Sequence, residues 1–429
     1  MLENVRITKL DNGACVATSA MSGSNVCHLG FHIPMGSRRE NAFEAGWSHF
    51  AEHMVLQGSE KYPSSKIINR IMDRFGGLNN ASTSKLWTEF HAHVPAHGIN
   101  TAIAVLGDVI THPIFSKVEI DNERKIILEE MKRDADDPSN RFYNVTIAGL
   151  WPRHPISRPI IGTAKSISNI NAESLKAFHN SRYTSCGALF IAAGGLDHDE
   201  IVERVRPVFD ALSDAPEPRY RPASLDWAIN PIAVEYCDDA QAQFTISFRG
   251  VTGADSRRHA QRLLSTILGG DSSSRLFRSV RERHGLAYSV GAYSNCHEDH
   301  GQFCISAGVS PDSLEKALAV CGHEIKELIR KPVGRQELAL RREKFANLHV
   351  ILSEDHSEGE YDVLDMSLKV YKKIVPPEEE VESIRSISAS DLQNLAAEIF
   401  RPENCSLALS LPRKCNASPE SLREALFNG

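Results

Sequence analysis

A proline-rich break, Ser213 to Pro222 with Pro216, Pro218 and Pro222 interrupting the periodic pattern, divides the 429 residues into two halves of similar length. The halves echo each other. Each reads as a strand, a polar turn, a helix, a glycine-containing loop, alternating strands and a further helix. In the first half these are Leu29–Met35, a helix around residues 49–53, Thr88–Val94 and Asn100–Ile110; in the second, Phe244–Phe248, Arg257–Leu268, Tyr288–Ala307 and Ser313–Ile329. A chain this long exceeds one ordinary core. The pattern therefore predicts two homologous α+β domains, 1–212 and 225–429, joined by a linker at 213–224, each a mainly antiparallel sheet with helices packed on one face.

The halves differ in one respect. Residues 49–53 read His-Phe-Ala-Glu-His, and the second half has no counterpart. On a helix His49 and His53 lie one turn apart on the same face and can share one tetrahedral ion. Glu52 beside them can take a proton from a metal-activated water, in the manner of an inverzincin motif. Ser48 or Glu44 can cap or charge the start of this helix, and Gly58 can end it. Zinc needs a third protein donor, with the fourth position open. The segment Asp121–Lys132 is an amphipathic helix carrying Glu123 and Glu130, two turns apart on one face. Glu130 can complete the ligand set and Glu123 can orient a ligand histidine. From spacing alone, a solvated acidic face is the competing reading.

These residues, with Gly76-Gly77-Leu78-Asn79-Asn80-Ala81-Ser82-Thr83 and Arg158-Pro159-Ile160-Ile161-Gly162-Thr163, resemble the insulysin/pitrilysin family, in the short two-domain form related to mitochondrial processing peptidase. The similarity spans nearly the whole chain. It begins at Leu10-Asp11-Asn12-Gly13, continues through Gly36-Ser37-Arg38-Arg39-Glu40, and includes Gly269–Phe277 and Val280–Val290. The resemblance implies Glu130 rather than Glu129 as third ligand. It further implies substrate-holding and oxyanion-stabilising roles for Arg281 and Tyr288, and, through Asn-Ala-x-Thr, a cleft position for Asn80 and Ala81. Chains of this type form halves of a clam-shell chamber. The expectation is a zinc endopeptidase with one zinc per chain, acting on oligopeptides or unfolded segments as a homodimer in which Arg281 and Tyr288 serve the partner chain's site. A dedicated leader-peptide processing protease and a non-catalytic core subunit are the alternatives.

Composition agrees with a folded enzyme and excludes other classes. With 41% hydrophobic and 24% charged residues, a net charge of −7 and a pI near 6.2, the chain favours neither nucleic acid nor an anionic membrane. No apolar run is long enough to span a bilayer, and Met1–Arg6 lacks the pattern of a secretory signal, which predicts a cytoplasmic protein. Nine cysteines without a Cys-x-x-Cys pair suit reduced thiols. His91, His93 and His97 are expected to hold no second metal, because no acidic donor is expected nearby. His297-Glu298-Asp299-His300 is read as a hydrated hairpin loop, and Gly269-Gly270 lacks the rest of a phosphate loop.

Overall fold

Strand alternation places Leu29, Phe31 and Ile33 on one sheet face with Phe90, Ala92 and Val94, and this apolar layer organises the first of two units. The computed structural model describes Leu2 and residues 4–224, 226–353 and 356–428. One unit comprises Met1–Asp136, Arg158–Arg221 and Ser353–Met366; the other comprises Asp137–Ser157, Pro222–Leu352 and Ser367–Gly429.

In the first unit, β1 (Val5–Lys9), β2 (Cys15–Ala20), β3 (Val26–Ile33), β4 (Leu78–Thr83), β5 (Thr88–Pro95) and β6 (Leu189–Gly194) form a sheet of order β1-β2-β6-β3-β5-β4. Only the β2–β6 pair is parallel. The helices Trp47–Val55, Ile99–Thr111, Ala172–Arg182 and His198–Asp210 bury Phe50, Val105, Phe178 and Phe209 against it. Each such side chain stabilises the fold by roughly 1.5–3 kcal/mol.

The second unit repeats the plan. Strands β7 (Ile232–Cys237), β8 (Ala242–Gly250), β9 (Ala287–Cys296), β10 (Gly301–Val309) and β11 (Cys405–Pro412) run β7-β11-β8-β10-β9, with only β7–β11 parallel. Taken in chain order, β7 to β11 match β2 to β6 strand for strand. The helix Arg258–Gly269 lies between β8 and β9 as the motif helix lies between β3 and β4, but it buries Leu263, Leu264, Ile267 and Leu268. The two-fold repeat of α+β domains is thus present, and the expected strands and helices fall within a few residues of their observed ends.

The linear division misses one feature. The helix His356–Met366, from the second half of the sequence, covers the other face of the first sheet at β2, β6 and β3. Tyr361 packs there beside His28 and His32, and a Cβ on Gly30 would collide with its hydroxyl. The helix Pro138–Leu150, from the first half, covers the equivalent strands β7, β11 and β8 of the second sheet. The two helices occupy the same place in the repeat, between β5 and β6 and between β10 and β11, so each unit is completed by a helix from the opposite half. The loop between β9 and β10 holds His297 to His300 as expected. It is drier than expected, since His300 is buried, stacks on His297 and lies 2.9 Å from Asp299.

Candidate metal centre

The His-Phe-Ala-Glu-His motif sits on a helix whose start is fixed from outside. Gly46, before the first turn, has φ 86°, and a Cβ there would meet the Ile161 carbonyl. Neither Ser48 nor Glu44 caps the helix. Instead the buried Glu40 accepts from Gly46 N at 2.9 Å and Ser48 N at 2.8 Å, while Glu44 pairs with Arg182. A carboxylate at exposed helix amides is favourable, but burial dominates here and pushes the Glu40 carboxyl up to about 7. Trp47 Nε1 donates to Ser166 O and further fixes the first turn. The helix runs from Trp47 to Val55, three residues short of Gly58, and buries Phe50, Ala51, Met54 and Val55. That orientation leaves His49, Glu52 and His53 on the remaining stripe.

The long helix Lys117–Asp136 buries Ile120, Glu123 and Ile127, and thereby turns Glu130 toward the histidines. His49 Nε2 and His53 Nε2 lie 3.9 and 4.0 Å from Glu130 Oε2. Donor atoms of the three residues all lie within 4.8 Å of one another, the only such trio of His, Cys, Asp or Glu among the described residues. Two imidazoles and a carboxylate suit zinc, whose bonds of about 2.1 Å place tetrahedral donors about 3.4 Å apart. The residues present therefore fit the ion. Glu129, on the same helix, instead faces Lys132.

The surroundings tune each group. Burial, then the neighbouring His53, pulls His49 down to about 4, which keeps its imidazole neutral and able to bind a cation. At His53 burial acts in the same direction, but the bond the ring donates to Glu123, with the charges of Glu52, Glu123 and Glu130, leaves it above its ordinary value. Glu123 Oε2 is 3.1 Å from His53 Nδ1. Glu52 is raised by burial, against the lowering effect of the Thr83 hydroxyl, which donates to its Oε2 at 2.6 Å. A raised carboxyl suits a group that must exchange a proton near neutrality.

The other site candidates fall in two places. Asn80 and Ala81 lie on β4, the edge strand of the first sheet; Ala81 faces the core opposite Phe90, while Asn80 is exposed on the other face opposite His91. Arg281 and Tyr288 belong to the second unit, where the guanidinium sits 5.1 Å from the Tyr288 ring and 4.7 Å from the Phe277 ring. Tyr288 is 81% exposed at the start of β9. Beside His91 and His93 an acidic group is present after all, because alternation puts Glu89 on their face, 3.4 Å from His91 Nδ1. Sequence reasoning missed Glu40, Thr83 and Gln57. Of these, Gln57 follows His53 at helical spacing and Thr83 shares the strand face of Ala81, signals that were open to reading.

Known proteins resemble this chain over nearly its whole length. Residues 15–164 match the family model described as insulinase, peptidase family M16, and residues 169–345 match the peptidase M16 inactive domain. An uncharacterized zinc protease of Rickettsia felis is 31% identical over 401 residues, covering 93% of this chain and 96% of that protein. One from Mycobacterium tuberculosis is 28% identical over 421 residues, covering 97% and 96%. Among solved structures, a protease from Helicobacter pylori superposes with a TM-score of 0.86 at 20% identity, covering 96% of this chain and all of that one (100%). No helix among the described residues is long and apolar enough to cross a membrane. The sequence matches along both halves, and the repeated sheets with one metal-competent helix, make this chain a member of the insulinase (M16) family of metallopeptidases.

Proposed function

We propose that this chain is a zinc-dependent endopeptidase with one zinc per chain, held by His49, His53 and Glu130. The observation that carries the proposal is the convergence of those three donors beside a buried carboxylate, Glu52. When bound, zinc polarises water and the scissile carbonyl. Glu52 accepts the water's proton at the oxygen not held by Thr83 and passes it to the leaving amine. Glu123 holds His53 by its Nδ1, leaving Nε2 free as a donor. β4 is an edge strand, and at Asn80 and Ala81 it binds the peptide as an added strand, displacing the Asn80 Oδ1 that accepts from Ala81 N at 2.9 Å, a mode whose main-chain bonds tolerate many sequences. Substrates on this reading are oligopeptides or unfolded segments. Arg281 anchors a peptide carbonyl or carboxylate, and the Tyr288 phenol donates to the developing oxyanion. Two copies form the working enzyme, each contributing Arg281 and Tyr288 to its partner's zinc.

Glu52→Gln tests the chemistry separately from the metal. The variant should hold about one zinc per chain by elemental analysis, while turnover of a mixed peptide library falls by about 10²–10⁴-fold. Full turnover in the variant removes Glu52 as the base, and a wild-type chain without zinc removes the ligand set.

A further inference from the structure

Gln57 stands four residues after His53, just beyond the end of the motif helix, and its side-chain amide donates to Glu123 Oε1 at 2.6 Å. The other oxygen of that carboxylate faces His53 Nδ1. Glu123 is 5% exposed, so these two partners, rather than solvent, orient its plane.

We infer that Gln57 is a positioning residue for the metal centre: it locks the Glu123 carboxylate so that one oxygen is always presented to His53 Nδ1. The tautomer and rotation of the His53 ring follow from that bond, and with them the direction of Nε2. This rests on the reading of His49, His53 and Glu130 as zinc ligands.

Two further observations support a set role for Gln57. Its backbone is pinned: Gln57 N donates to Met54 O at 3.1 Å, Gly58 has φ 157° with no room for a Cβ beside the Pro63 carbonyl, and Ser59 Oγ donates to Asp108 at 2.5 Å. The side chain therefore leaves a fixed point. Its amide is also neutral, so it satisfies one carboxylate oxygen without drawing the negative charge away from His53.

The test is zinc affinity, measured by competition with a chromophoric chelator on the full chain, alongside thermal melting of the metal-free protein. Gln57→Leu should weaken zinc binding about tenfold, the low end for loss of an outer partner, while the metal-free melting point stays near that of the wild type. Gln57→Lys, which keeps an N–H donor but adds a positive charge, should restore only part of the affinity, because its cation draws the carboxylate's charge away from His53. In a Glu123→Gln background, Gln57→Leu should add no further loss, because its only route to the metal is through that carboxylate. Wild-type zinc affinity in Gln57→Leu overturns the inference and spares the ligand assignment, as does a full additional loss in the Glu123→Gln background. A wild-type chain that takes up no zinc overturns both.

Discussion

Thr83 and Glu52 show how much of the site is decided by single hydrogen bonds. The hydroxyl holds one oxygen of the only carboxylate in the motif and offsets part of the burial that raises it. Thr83→Val should therefore lower kcat roughly tenfold with little change in KM, and Thr83→Ser should retain most of kcat, since a bond to a charged group contributes about 1.5–3 kcal/mol. Steady-state kinetics on a fluorogenic peptide, normalised to zinc content, check this; an unchanged kcat in Thr83→Val removes the role. The place of Thr83 in the site is not a local property of the sequence. His49, Glu52 and His53 are legible because one helical turn brings them together, a purely local fact. Thr83 lies 31 residues beyond Glu52, and only the pairing of β4 with β5 brings it to the helix. Glu130 is intermediate: periodicity marks its helix, but choosing it over Glu129 took the family resemblance.

At the scale of elements, the motif helix depends on a carboxylate outside it. Glu40 lies within a stretch that marked the family resemblance, Gly36 to Glu40, yet nothing local shows that it caps a helix starting seven residues later. Its carboxyl is raised in the fold to about 7 from an ordinary 4.5. The folded state thus binds that proton more tightly than the unfolded chain. Stability from this group is complete below about pH 4.5 and declines as pH rises toward 7. Glu40→Gln cannot titrate, so the difference in unfolding free energy between wild type and variant should shift against the wild type across that window and level off above it. Denaturant unfolding of the metal-free chain at several pH values measures this, and a pH-independent difference contradicts it. The strands and helices themselves were largely legible, since alternation and 3.6-residue periodicity arise from the residues that line the two cores.

At the scale of the whole molecule, His49, His53 and Glu130 lie in the first unit and the Arg281–Tyr288 pair in the second. If the pair serves a partner chain, two inactive variants should repair each other. Mixing Glu52→Gln with Tyr288→Phe should restore about a quarter of wild-type specific activity if random exchange leaves one intact composite site per mixed dimer. Exchange proved by mass spectrometry with no recovered activity places both parts of each site on one chain. The exchanged helices were the least legible feature, because a helix pattern does not say which of two similar sheets it will cover. They also alter what the proline-rich break can mean. A protease nick at Ser213–Pro222 would cut the backbone without parting the folded halves, because each would still hold the other's helix on its sheet. The seam in the gene and the seam in the protein are different places.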